Sequence, residues 1–524
     1  MAGARDLGRR RLGLLAGYVA ATFLSFPVGG AGFDVGWLFA WLGPAFLWMG
    51  IRGLAPRRAA GVAFAAALIA HAAVLHWIYV VTVTYGHAPR IAGVAAPLGL
   101  AAYMAAHTAL FAALAARLGA RGAGGPLALA AVWTATDHLR SFSLSGFPWA
   151  TLGYAQHANP ALLALAPWTG VYGLSFVTVL GGVAAAQWLV EGRSRRAGSG
   201  LAALLALLAL GGVLGLRGVP PDGEAMLRVA ILQGNIDQGV KWSPDWAEHT
   251  LGIYEELTRA SSAQGAAWIV WPETAVPGSV TTDPELRARL GALARDTGAT
   301  LVVGGVGVER DGEALRFFDS AFVFTPAGEL EARYDKAHLV PYGEYVPLRG
   351  LLGRFLSAVA RGIANTDVSP GAGPRALALP APGGPVPAGV PICYELLFPD
   401  LMRRFVGDGA QLLLAITNDA WYGRTGAPHQ FLAITALRAA ENRVWIARAA
   451  NTGISAFIDP RGRVQERTRI FERGFLVGDV PLRPPPSGGS FYTRRGDVFA
   501  WSCWIGALVA AFAPRRDPEG TRRS

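Results

Sequence analysis

Long apolar segments alternate with short arginine-bearing connections over the first 217 residues of the chain. A membrane-spanning helix needs about 20 predominantly apolar residues. The number of apolar segments therefore predicts an α-helical membrane bundle of about eight transmembrane helices, with buried helices of a soluble protein as the alternative. The segments cover roughly 12–28, 35–51, 59–83, 91–116, 125–137, 168–190, 201–216 and 498–513.

The arginines between these segments predict the orientation of the helices. Arginine clusters stand before the first segment and after the second, fourth, sixth and eighth, whereas Arg90 and Arg140 are the main basic residues of the opposite connections. Because cytoplasmic loops are enriched in Lys and Arg, we expect both termini in the cytoplasm and the long segment before the last span on the outer side. The basic N-terminus also resembles the start of a signal peptide, but no small-residue cleavage site follows, so we favour an uncleaved first span.

The segment of about 220–485 has a different pattern. Short β-type runs such as RVAILQGNI, AAWIVWPE and QLLLAITND alternate with helical stretches, which is typical of an α/β domain. We therefore expect three parts. Residues 1–217 form a seven-helix transmembrane region, 218–485 form an outward catalytic domain, and 486–524 comprise a Pro/Gly/Ser-rich linker, the eighth span and a cytoplasmic tail.

Composition and charge support a membrane protein. Hydrophobic residues make up 52% of the chain, and the mean hydropathy is +0.33. The formal net charge is +11, and residues 1–217 alone, with 15 arginines and four acidic residues, account for +11. Because the excess positive charge lies beside apolar segments, it favours membrane orientation over nucleic-acid binding.

Only two cysteines occur in the chain, too few for a disulfide framework. Cys503 lies between Trp501 and Trp504 in the last apolar segment, where it is interpreted as a small buried side chain with a packing role only. Cys393 follows the run AGVPI and precedes the helical LFPDLMRRF, which predicts a strand-to-helix turn. Backbone N–H groups at such a turn can stabilise a thiolate or an oxyanion, although a buried structural cysteine fits this stretch equally well.

Two other strand ends carry residues suited to thiol chemistry. Lys336 is one of only two lysines beside 45 arginines, which indicates a site where a guanidinium does not fit. Glu273 ends the apolar run WIVWPE. A solvated surface lysine and a turn-capping carboxylate are the ordinary alternatives. Together, however, Cys393, Glu273 and Lys336 supply the nucleophile, base and cation that acyl transfer through a thiol requires.

Four motifs occur in the order WPE, DKAHLVPYGEYVP, PICYE and NDAWYG, and this series resembles the nitrilase superfamily. The apolar segments and GFPWATLGY at 146–154 narrow the resemblance, over essentially the whole chain, to the bacterial apolipoprotein N-acyltransferase family. The resemblance implies an α-β-β-α sandwich with a catalytic triad. In it, Glu273 is the general base, Lys336 the cation that holds the oxyanion, and Cys393 the nucleophile.

The same resemblance implies further site residues and the substrates. Supporting positions are Glu344, Tyr394 and Glu395. Positions that line the acyl or lipid site are Trp242, Trp421 and Tyr422, for which ordinary core packing is the alternative. The implied reaction needs no cofactor. It moves a fatty acyl chain from a membrane phospholipid, through a thioester, to the α-amine of a diacylglyceryl-cysteine apolipoprotein at the outer face of the inner membrane.

Several alternatives remain open at this stage. His429 in APHQ permits a Cys–His dyad, whereas the scattered histidines and the absence of HExxH or paired CxxC motifs predict no metal site. The apolar and basic stretch 346–364 is either a membrane-surface lid or packs on the domain. A membrane-tethered amidase or nitrilase that uses water, and a receptor without chemistry, are the competing functions. Nothing in the sequence demands more than a monomer.

Overall fold

The structure is a computed structural model that describes residues 2–29, 35–217, 225–239, 241, 244–312, 314–345, 367–482 and 489–512. The chain divides into two units. The helical unit comprises Met1–Ile78, Val94–Gly218 and Asp497–Ser524, and the sandwich unit comprises Tyr79–Gly93 and Val219–Gly496. The stretch Tyr79–Gly93 thus groups with the later part of the chain, although it lies within the apolar first part of the sequence.

A helix occupies most of each of the eight apolar segments. In the part of the chain that the structure describes, four helices are long and apolar enough to cross a membrane, Pro56–Val74, Arg90–Ala120, Ala166–Glu191 and Arg195–Leu216, while Gly36–Ile51 and Val498–Phe512 are apolar but shorter. The protein therefore has the helices of a membrane protein, and the count of eight crossings stays a prediction. The helices are α1 (Ala2–Leu24), α2 (Gly36–Ile51), α3 (Pro56–Val74), α4 (Arg90–Ala120), α5 (Pro126–Arg140), α6 (Ala166–Glu191), α7 (Arg195–Arg217) and α12 (Val498–Phe512).

The third apolar segment does not form one continuous helix. It is helical over α3, and after Val74 the chain continues through a single turn, Trp77–Tyr79, into a π-helical turn, Val80–Tyr85. The π-helical sequence VVTVTY is almost entirely β-branched, and β-branched side chains crowd the preceding turn of an α-helix. Local sequence thus favours the interruption.

Two six-stranded sheets form the centre of the sandwich unit. The first has the order β12-β1-β2-β3-β4-β5 and the second the order β11-β10-β9-β8-β7-β6. The strands are β1 (Met226–Gln233), β2 (Trp268–Val270), β3 (Thr300–Asp311), β4 (Ala314–Phe324), β5 (Leu330–Asp335), β6 (Leu377–Leu379), β7 (Val386–Gly389), β8 (Leu412–Thr417), β9 (Trp445–Ala450), β10 (Ala456–Ile458), β11 (Val464–Arg467) and β12 (Gly474–Pro481).

Helices flank both sheets, which confirms the predicted nitrilase-like sandwich. Helices α8 (Pro244–Ser262) and α9 (Pro284–Thr297) accompany the first sheet, and α10 (Pro399–Gly407) and α11 (Ala427–Asn442) the second. Tyr254 of α8 and residues of α9 join strands of the first sheet in one buried cluster. Strands β1, β2 and β3 are parallel, as are β7, β8 and β9. The ends of parallel strands are where active-site residues commonly gather.

Candidate active site

Glu273 lies in a turn three residues after β2, buried with 6% of its surface exposed. Its Oε1 accepts a hydrogen bond from Lys336 Nζ at 3.0 Å. Its Oε2 accepts one from the backbone N–H of Asn418 at 2.7 Å. Because Glu273 follows a strand of the first sheet and Asn418 directly follows β8 of the second, this carboxylate connects the two sheets at their strand ends.

Lys336 directly follows β5, and its side chain is completely buried. Its ammonium contacts three carboxyl groups: Glu273 at 3.0 Å, Asp319 at 3.2 Å, and Glu344. An ammonium has three N–H donors, so each carboxyl group can receive one. A planar guanidinium does not match this compact arrangement, which explains why the chain uses one of its two lysines here.

Cys393 lies four residues after β7, at the start of a short 3-10 turn, Cys393–Leu397. The preceding residue, Ile392, forms a bridge with Ile416 of β8, and the neighbouring Thr417 side chain lowers the pKa of the thiol. Cys393 has a φ of 48°, a left-handed conformation that non-glycine residues seldom adopt and that is concentrated at functional sites. The predicted strand-to-helix turn is present, in a strained form.

Glu395 joins the turn of Cys393 to the loop of Lys336. Its Oε2 accepts from the backbone N–H of Ile392 at 2.7 Å. Its Oε1 accepts from the Tyr334 hydroxyl at 2.8 Å and from the backbone N–H of Ala337 at 2.8 Å. The buried side chain of Glu395 thus holds the residue before Cys393 and two residues that flank Lys336.

The electrostatics of the site favour a neutral thiol beside an ionised carboxylate. Burial raises the pKa of Cys393 well above its ordinary value, and the charge of Glu273 raises it further while that of Lys336 opposes the rise. Burial is the largest influence on Glu273 and opposes its ionisation, but the charge and hydrogen bond of Lys336, the neighbouring Asp319 and the charge of Lys241 together hold the pKa of Glu273 below its ordinary value. Burial and the charge of Glu273 raise the pKa of Asp319. At rest, Glu273 is therefore the ionised base and Cys393 a protonated thiol.

The carboxyl groups around Lys336 also resemble a set of metal ligands. In the part of the chain that the structure describes, Glu273, Asp319 and Glu344 are the group whose ligand atoms lie close enough to hold an ion, within 4.8 Å of one another. Lys336 Nζ contacts all three, so the chain itself supplies the positive charge at their centre. The absence of a metal or cofactor stays a prediction.

The remaining predicted residues have varied surroundings. Tyr394 is buried edge-on to Phe398, with ring centroids 5.2 Å apart. Trp421 is 37% exposed and lies edge-on to Tyr85 of the π-helical turn, with centroids 6.2 Å apart. Tyr422 is edge-on to Phe431 at 6.4 Å. Trp242 and the stretch 346–364, predicted as a lipid-site residue and a lid, lie outside the described residues.

Sequence reasoning missed two charged residues of this site. Lys241 is buried, and its Nζ donates to the backbone carbonyl of Glu273 at 3.2 Å and to Thr274 Oγ1 at 2.6 Å. It is the other lysine of this arginine-rich chain, so the rarity that singled out Lys336 also pointed to it. Asp319 lies in the buried half of β4. An acidic residue within an apolar strand signals a buried partner, and this partner is Lys336.

Comparison with known proteins decides the family. The chain matches the family described as Carbon-nitrogen hydrolase over residues 228–483, and that described as Apolipoprotein N-acyltransferase N-terminal domain over 20–184. It is 40% identical to the apolipoprotein N-acyltransferase of Geobacter metallireducens, over 96% of this chain and 95% of that protein. The chain belongs to the apolipoprotein N-acyltransferase family.

Other members of the apolipoprotein N-acyltransferase family agree. The protein of that name from Methylococcus capsulatus is 35% identical, over 84% of each chain, and that from Pseudomonas syringae pv. tomato is 36% identical, over 85% of this chain and 86% of the other. Among solved structures, an amidase of the nitrilase superfamily from Nesterenkonia AN1 matches with 22% identity and a TM-score of 0.38, over 55% of this chain and 99% of that one. The family predicted from the motifs is confirmed.

Proposed function

We propose that this protein transfers a fatty acyl chain from a membrane phospholipid to the N-terminal α-amine of diacylglyceryl-cysteine in apolipoproteins. Membership of the apolipoprotein N-acyltransferase family supports the reaction class. The observation that carries the residue roles is the bond between Lys336 Nζ and Glu273 Oε1 at 3.0 Å, in the same buried site whose charges act on Cys393. This arrangement supplies a base and a cation for a thiol that is neutral at rest.

In the first half-reaction, Glu273 takes the thiol proton as the sulfur of Cys393 attacks the ester carbonyl carbon of the phospholipid. The ammonium of Lys336 and a backbone N–H such as that of Tyr394 stabilise the negative charge on the carbonyl oxygen. When the C–O bond breaks, the lysophospholipid oxygen takes the proton back from Glu273. The products are a thioester on Cys393 and a free lysophospholipid.

In the second half-reaction, the α-amine of the apolipoprotein attacks the thioester carbonyl and gives a proton to Glu273. The C–S bond then breaks, the sulfur receives that proton, and an amide remains on the lipoprotein. Water competes with the amine for the thioester, so the site must keep water away from the intermediate. Glu344 and Glu395 support these steps by holding Lys336 and the turn of Cys393.

We further propose a setting that brings both lipids to this site. The chain crosses the bacterial inner membrane with eight helices, has both termini in the cytoplasm and exposes the catalytic domain on the periplasmic side. Among the described residues, four helices are long and apolar enough to cross a membrane, and they support a membrane setting. Trp421 and Tyr422, and Trp242 from the sequence resemblance, are proposed to contact the lipids, and the protein is proposed to act as a monomer.

Mass spectrometry of the intact protein tests the proposal. After incubation with phospholipid vesicles, the wild-type protein should gain one acyl chain that hydroxylamine removes, whereas Cys393→Ala should gain none. Adding a diacylated lipopeptide should discharge the adduct and give the N-acylated peptide. An adduct of equal yield on Cys393→Ala contradicts the thioester. The alternative, an amidase or nitrilase that uses water, receives less support from the family, and it requires ammonia release from a small amide with no acyl transfer.

A further inference from the structure

Lys241 lies against the turn that carries Glu273, and its ammonium contacts the main-chain carbonyl of that residue. It is 3% exposed, and both of its hydrogen bonds described above go to this turn, to the carbonyl of Glu273 and to the hydroxyl of Thr274. Its own backbone is held by a bond from its N–H to the carbonyl of Asp237 at 3.1 Å. The buried ammonium of Lys241 is therefore hydrogen-bonded to the backbone of the proposed base and to the side chain of the next residue.

The turn needs such support because its backbone is strained. Thr274 has a φ of 46°, and the left-handed region is especially unfavourable for a β-branched residue. Below the turn, Gly304 of β3 leaves room for it, since a Cβ at this position would lie 2.2 Å from the carbonyl oxygen of Pro272. The turn thus packs closely on Gly304 and is also hydrogen-bonded by Lys241.

Lys241 also contributes charge. Fully ionised, Glu273, Asp319 and Glu344 carry three negative charges, and Lys336 supplies one positive charge at their centre. A negative charge on Glu273, Asp319 or Cys393 favours the ammonium form of Lys241, and Glu273, which is ionised at rest, has the largest effect of the three. Burial outweighs these charges and lowers the pKa of Lys241 to about 8, so the ammonium form still predominates at neutral pH.

We propose that Lys241 is a positioning residue that clamps the strained turn of Glu273 and adds to the positive charge that Lys336 provides around its carboxylate. This inference rests on the proposed role of Glu273. The clamp acts through the carbonyl of Glu273 and the hydroxyl of Thr274. The charge acts on Glu273 directly: burial raises the pKa of that carboxylate, Lys336 provides the larger opposing charge, and the positive charge of Lys241 lowers the pKa further.

The test measures single-turnover formation of the acyl adduct against pH. Lys241→Met removes both the charge and the donor at similar length. We expect the rate at neutral pH to fall by about 100-fold, the order of loss when a catalytic group is displaced by 1 Å, at an unchanged half-saturating phospholipid concentration. Because the lost cation no longer lowers the pKa of Glu273, the acid limb of the profile should move to higher pH.

Three further variants separate the contributions. Lys241→Arg keeps the charge, so the acid limb should stay at the wild-type pH. Thr274→Val keeps the branched side chain but removes the hydroxyl, and it should lower the rate without moving the limb. Arg228→Met removes an exposed cation paired with Asp479 on the outer strands and should match the wild type in both respects.

The pH of the acid limb, the rate in the threonine variant and the wild-type adduct each test a different part of the inference. An acid limb that does not move in Lys241→Met overturns the inference, whatever the rate, since a merely structural lysine lowers the thermal midpoint without changing the titration of Glu273. A wild-type rate in Thr274→Val overturns the clamp. Absence of an acyl adduct on the wild-type protein overturns the proposed function itself, and this inference with it.

Discussion

We propose that neighbouring groups, and not a permanent negative charge on the sulfur, make the thiol of Cys393 reactive. Burial and the negative charge of Glu273 raise its pKa, so the thiol is protonated in the resting site. The ionised Glu273, whose charge acts on the thiol, is held by Lys336 and by the N–H of Asn418. We therefore expect deprotonation to accompany attack on the ester and not to precede it.

This protonation state predicts how Cys393 reacts with iodoacetamide. In a Cys503→Ala background, where Cys393 is the only thiol, the alkylation rate should rise by about tenfold per pH unit through the neutral range, because the thiolate is the reactive form. It should keep rising beyond pH 9, where a small free thiol measured alongside levels off. A plateau below pH 8 would mean that a standing thiolate exists.

Replacement of Lys336 by arginine tests the compact ammonium. Lys336→Arg conserves the charge but places a planar guanidinium among three carboxyl groups in a fully buried position. We expect acyl-adduct formation to slow by about 100-fold, comparable with the loss of an oxyanion donor, while phospholipid binding is retained. A loss of less than tenfold counts against the proposed role of Lys336.

At the scale of elements, the site depends on how closely a turn approaches the neighbouring strand. The turn after β2 lies on Gly304 of β3, with the backbone of Pro272 and Glu273 within 3 Å of where a Cβ would stand. Backbone atoms cannot rotate away as a flexible side chain can. The position of the proposed base is thus set partly by a residue with no side chain.

Gly304→Ala should therefore damage the site through the backbone. The added methyl group must push the turn of Glu273 away from β3, and we expect at least a tenfold loss of acylation rate from this displacement. Gly252→Ala in α8 is the matched control, because a Cβ there meets nothing within 4 Å, and alanine is the better helix former. Equal rates for the two variants would show that the turn tolerates displacement.

At the scale of the whole molecule, hydropathy and charge predict the topology that the function needs. The arginine distribution predicts that both termini lie in the cytoplasm. A fluorescent protein that matures only in the cytoplasm, fused after Ser524, should therefore fluoresce, and alkaline phosphatase at the same position should be inactive. The reverse result would mean that the C-terminus lies outside the cytoplasm. The catalytic domain would then lie on the opposite side of the membrane from the lipids proposed as its substrates.

Much of this molecule could be predicted from local sequence, and the exceptions have physical reasons. Apolar length predicted the helices, and four motifs predicted the family and the cluster of Glu273 with Lys336. The third apolar segment was expected as one helix, because hydropathy averages over the β-branched run that interrupts it after α3. Lys241 was missed because its partner is a backbone carbonyl 32 residues away, and main-chain partners leave no motif.

The three carboxyl groups around Lys336 have a consequence for the conditions under which the protein works. Buried charges in contact with one another are screened very little by dissolved ions. The phospholipid surface, by contrast, carries head groups whose attraction for a protein weakens as salt is added. Raising the ionic strength should thus change how often lipid reaches the site but leave the rate of bond making unchanged. We therefore expect the acyl-transfer steps in the buried site to be insensitive to the salt concentration of the surrounding solution.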